Sequence, residues 1–124
     1  MCLNLKESYY TMYVILDHIW PNIQNKDDIG FFLGVISPVL WRECEPIDPA
    51  IYNDWCNIIE DNIEDASLLT AIIHFLGWYQ QQYGFSFAYT IAELERVSTK
   101  LDLAVLIAMG KKLVMQSTGE KPES

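Results

Sequence analysis

The sequence predicts an all-α fold, a compact single-domain bundle of five or six helices, on three observations. Apolar residues recur at three- and four-residue steps over most of the chain. Pro, Gly and Asp stand where such runs begin and end. The chain carries no hairpin signal and no internal repeat. With 124 residues, of which 51% are hydrophobic and 13% aromatic, it can build one core without disulfides or metal. Residues 1–115 read as the domain, and the polar ending "QSTGEKPES" (116–124) as a disordered tail.

The first helix carries Leu5, Tyr9, Met12, Tyr13, Leu16, Ile19 and Trp20 on one stripe and closes at Pro21. Asp27 and Asp28 suit the N-terminus of a second helix, which carries Ile29, Phe32, Leu33 and Ile36 and ends or kinks at Pro38. "LWRECEPID" connects it to a third, where Asp48 is placed to cap and Pro49 takes the first helical position. Ile51, Trp55, Ile58 and Ile59 form the buried stripe of that helix, with Glu60 and Asp61 in its last turn. Asp65 is expected to cap a fourth helix over about 65–83, with Glu64 beside its N-terminus and Gly84 as its left-handed C-terminal residue. Its apolar residues cover more than one face, which predicts the central position in the bundle. Tyr89, Ile91, Leu94 and Val97 mark a fifth helix. Ser98 is placed to cap a sixth with Leu101, Leu103, Val105, Leu106, Met109 and Leu113, or the two run on as one.

No catalytic constellation emerges. Cys2, Cys44, Cys56, His18 and His74 show neither CxxC nor HxxxH spacing, and no Glu-x-x-His pair occurs, so no metal site and no cofactor is expected. His74, in "AIIHFLGW", reads as a core histidine, and the remaining enzyme or metal reading would use it with Cys56. An odd cysteine count without framework spacing points to a reducing compartment, and the start "MCLNLKESYY" lacks signal-peptide regions; the expectation is a cytoplasmic protein. No apolar run reaches bilayer-spanning length.

Charge is the informative feature. The net charge is -9, which disfavours nucleic acid and anionic membrane and favours a basic protein partner. Residues 1–42 carry four acids and three bases, residues 43–92 eight acids and no Lys or Arg, and residues 93–124 five of each. The imbalance therefore sits in one segment, whose core is "EDNIED" (60–65). The candidate partner-binding residues are Asp54, Glu60, Asp61 and Glu64, joined by Tyr79 and Tyr83 of "YQQQYG", where amphipathic aromatics and amides suit an interface. Glu60 and Asp61 oppose the dipole of their own helix without a nearby cation, as a docking surface would. A solvated acidic face and a helical structural or regulatory module that forms a homodimer are the alternatives.

The segments "FFLGVISPVLW", "DPAIYNDW" and "HFLGWYQQQYGF", spanning roughly residues 30–87, resemble small helical bacterial immunity proteins of polymorphic toxin systems, including contact-dependent inhibition. The resemblance implies a cytosolic, non-catalytic protein that binds and blocks one cognate toxin domain. Many such toxins are basic nucleases. Core and capping residues carry the likeness, and it transfers no set of functional residues.

Overall fold

The computed structural model describes residues 2–23, 27–36 and 49–117. The protein is all-α. Among the described residues six helices run in chain order: α1 (Leu5–Ile19), α2 (Asp27–Ile36), α3 (Pro49–Ile58), α4 (Leu68–Tyr83), α5 (Ala88–Val97) and α6 (Leu103–Ser117). The fifth and sixth are separate helices. The caps expected of Asp48 and the break at Pro38 lie outside the described residues, as do residues 118–124 of the tail; α6 runs two residues past the expected boundary at 115.

α1, not α4, is the helix around which the others pack: α2, α3, α5 and α6 all lie against it, and nine of its residues are buried. Two of these are Ser8 and Thr11, which hydropathy places outside. Each hydroxyl donates back to its own helix, Ser8 Oγ to Leu5 O at 2.9 Å and Thr11 Oγ1 to Glu7 O at 2.7 Å. A buried hydroxyl so satisfied carries little desolvation penalty, and the short side chains let neighbours approach. α6 comes closest. A Cβ on Gly110 would lie 2.9 Å from Thr11 Cα, so the α1–α6 seam requires glycine there. Ser8 Oγ also accepts from the indole Nε1–H of the fully buried Trp55 at 2.9 Å, tying α3 to α1.

At the N-terminus of α1, Asn4 and Glu7 form a capping box: the Asn4 side chain accepts from Glu7 N–H, and the Glu7 carboxylate accepts from Asn4 N–H. Ahead of it lies a feature without a sequence signal. Cys2–Leu3 (β1) pairs antiparallel with Ile63–Glu64 (β2), Cys2 opposite Glu64 and Leu3 opposite Ile63. The pairing buries Leu3 completely.

α4 lines the opposite side of the core with Leu68, Leu69, Ile72, Phe75, Leu76 and Tyr79. Aromatic rings fill the space between α2, α3 and α4. Phe75 meets Trp55 edge-on at 5.1 Å between centroids, Phe32 meets Tyr79 at 5.2 Å, and Phe85 stacks on Phe87 at 5.7 Å. Gly84 ends α4 at φ +78°, as its position predicts. The following turn is held by two side-chain acceptors: Gln80 Oε1 accepts from Phe87 N–H and Asp28 Oδ2 from Ser86 N–H. Asp28 is thus spent on a distant loop as well as on its helix start. On α5, Glu93 pairs with Arg96 one turn later at 2.6 Å, and Ser98 ends that helix rather than opening α6; Asp102 instead accepts from Val105 N–H.

Candidate functional site

Three of the expected contact residues, Glu60, Asp61 and Glu64, lie where α3 gives way to α4, in a chain path unlike the one anticipated, while Asp54 lies inside α3. α3 ends at Ile58, so Glu60 and Asp61 follow the helix rather than occupy its last turn. Asn62 takes a left-handed φ of 58°, which turns the chain into β2. Asp65 opens a 3-10 turn (Asp65–Ser67), and α4 begins only at Leu68; neither Glu64 nor Asp65 makes a side-chain cap bond. The cause is the strand pairing, which recruits Ile63 and Glu64 and delays the helix by three residues.

The carboxylates differ in what they do. Asp61 Oδ1 accepts from Leu5 N–H at 3.1 Å and from Asn62 N–H at 3.0 Å, so it closes the start of α1 from 56 residues away. That is a structural role. Asp54 Oδ2 accepts a long bond, 3.4 Å, from the hydroxyl of Tyr83. Glu60 and Glu64 are exposed, and among the described residues neither carboxylate has a hydrogen-bond or ion-pair partner. Tyr83 is 56% exposed and reaches water as expected, whereas Tyr79 is only 7% exposed. Its ring is enclosed by Phe32, Phe75 and Phe85 and offers no contact surface.

Sequence reasoning misplaced His74. It is exposed, on the outer ridge of α4 with Thr70, Gly77 and Gln81, one hundred degrees per residue placing these four on the arc opposite Ile72 and Leu76. Two depressions meet at it. The larger, about 440 Å³, has an apolar floor of Ile58, Ile59 and Ile63, hydroxyls of Ser67 and Thr70 on the α4 side, and Glu60 at its rim. The smaller, about 330 Å³, runs along α4 past Gly77, Trp78 and Gln81. The signal that could have found this face is a glycine in the middle of an otherwise strong helix, "FLGWYQ".

Cys56 adjoins the phenol of Tyr52, and no hydrogen bond links it to His74. Burial, and then the hydrogen bond with the Cys56 thiol, push the Tyr52 phenol well above its usual range. Among the described residues no three His, Cys, Asp or Glu side chains group to hold a metal ion, and no helix is long and apolar enough to cross a membrane. No protein-family model matches the chain, and neither a curated protein nor a solved structure is similar to it.

Proposed function

We propose that this chain is a non-catalytic immunity protein that binds and neutralises a basic bacterial toxin domain through the acidic face between α3 and α4. The observation that carries the reading is Glu60: a carboxylate without a partner among the described residues, lining an apolar groove and inside a 50-residue stretch that holds eight acids and no Lys or Arg. An apolar centre with a charged, exposed rim is the anatomy of a protein interface. Single-sign charge around it speeds encounter with a partner of opposite sign and sets the salt dependence of that encounter. Asp54 and Glu64 add negative charge from the same acidic segment, and the half-buried Trp78, which packs edge-on against Tyr83, lines the neighbouring depression.

The test is co-expression with candidate toxin domains from the neighbouring gene, expecting a stable complex and protection of the host. In that complex Asp54→Asn with Glu60→Gln should slow association and flatten its salt dependence. Unchanged association kinetics in the double variant would reject the acidic-face reading. A second reading, a homodimer, has in its favour the outer side of α6, where Val105 is 53% and Met109 50% exposed. Sedimentation at micromolar concentration separates the two: a symmetric dimer dispersed by Met109→Glu supports the second.

A further inference from the structure

We infer that the partner lays one extended segment along the outer ridge of α4, its backbone crossing at Gly77 and one arginine or lysine side chain seated in the groove beside Glu60. The inference rests on the reading of the partner as a basic protein and names how that partner is held.

Two independent features support it. The first is the groove itself. Its floor of Ile58, Ile59 and Ile63 suits the aliphatic stem of a long side chain, and the Glu60 carboxylate at the rim suits a cationic head. A guanidinium has further donors for the Ser67 and Thr70 hydroxyls on the α4 wall. The second feature is Gly77. A glycine inside a helix lowers its stability relative to alanine, a cost that close packing of another backbone against it can offset. Among the described residues, nothing beyond its chain neighbours and its own helix backbone lies within 4 Å of where its Cβ would be, as is also true of Gly34 on α2. At Gly110 the same residue type is demanded by Thr11; at Gly77 no described neighbour demands it, and the residue lines a depression together with His74, which borders both depressions. A missing side chain at that point lets a foreign backbone come within contact of the helix.

The test has two arms. In the first, the isotope-labelled full chain is titrated with acetyl-Gly-Arg-Gly-amide, and with acetyl-Gly-Glu-Gly-amide as control. Saturable amide shifts are expected around Glu60, Ile63, Thr70 and His74 with the arginine peptide alone, and Glu60→Gln or His74→Lys should abolish them. Absence of saturable shifts there, or shifts indifferent to Glu60→Gln, overturns the inference. In the second arm the adjacent-gene basic domain is bound to variants whose folding is checked by thermal melting. Gly77→Leu should weaken the complex about tenfold or more while the free chain stays folded. Full-affinity binding to both Gly77→Leu and His74→Lys overturns the inference and leaves the acidic-face reading standing. Failure of any basic domain to bind the parent chain removes both.

Discussion

Gly110 and Gly77 each sit on a helix that packs on one side and faces outward on the other, and they have opposite reasons to be glycine. On α6 the residue is buried against α1, with the backbone of Thr11 beside where a Cβ would go. On α4 it borders open space. The α1–α6 seam is thus a place where the sequence serves the fold alone, while the ridge of α4 departs from what its own helix prefers. Local departures from foldability that nothing inside the chain repays are where function is to be sought.

The contrast can be broken most forcefully at the seam. Gly110→Ala should destabilise by about 1–3 kcal/mol, since the added methyl must push two backbones apart; chemical denaturation measures it, and a neutral result would show that the seam yields. Next in size is Asp61→Ala, expected to cost about 1 kcal/mol by leaving the Leu5 amide without its acceptor. Asp61→Asn keeps an oxygen in place and should restore most of that loss, which separates the structural role of this residue from its charge. On the ridge the sign reverses. Gly77→Ala should stabilise the free chain by about 0.5–1 kcal/mol, and a loss of stability there would mean that the open space is not open.

The smallest expected effect concerns pH. The Arg96 guanidinium, bonded through its Nε and Nη2 to Glu93, holds that carboxyl below its usual value of 4.5. A carboxyl whose folded value is depressed contributes stability that is present above about pH 4.5 and lost as the pH falls through the lower folded value. Melting curves of the parent and Glu93→Gln should therefore differ at pH 7 and converge in acid. Arg96 is more than half exposed, so the difference will be modest.

How far the fold was legible follows from where its signals lie. Helical periodicity, Pro49 at a helix start and Gly84 at a helix end are local, and they place α1, α3 and α4 within a few residues. The rank of α1 as the central helix was not legible, because Ser8 and Thr11 hide part of its buried face behind polar side chains that bond to their own backbone. Nor was β1–β2: two residues carry no alternation, and its partner lies some sixty residues away. The candidate site was half legible. The charge count isolates Glu60, yet it could not tell Glu60 from Asp61, whose acceptor role depends on an amide far along the chain. "YQQQY" looks uniformly exposed in one dimension, but Tyr79 and Tyr83 occupy different surroundings once the aromatic cluster closes over the first. His74 went the other way, since a stretch of apolar neighbours conceals which arc of the helix it occupies.

The two-residue pairing of Cys2 with Glu64 and Leu3 with Ile63 has a practical bearing on any binding measurement. Ile63 is part of the groove floor, so whatever is joined to the chain ahead of Cys2 is tethered within a few residues of the docking face. A short flexible linker keeps its cargo at millimolar effective concentration near its anchor. An amino-terminal histidine or lysine-rich purification handle would consequently act as a built-in competitor for an acidic groove, and a carboxyl-terminal handle is the sounder choice for capture experiments.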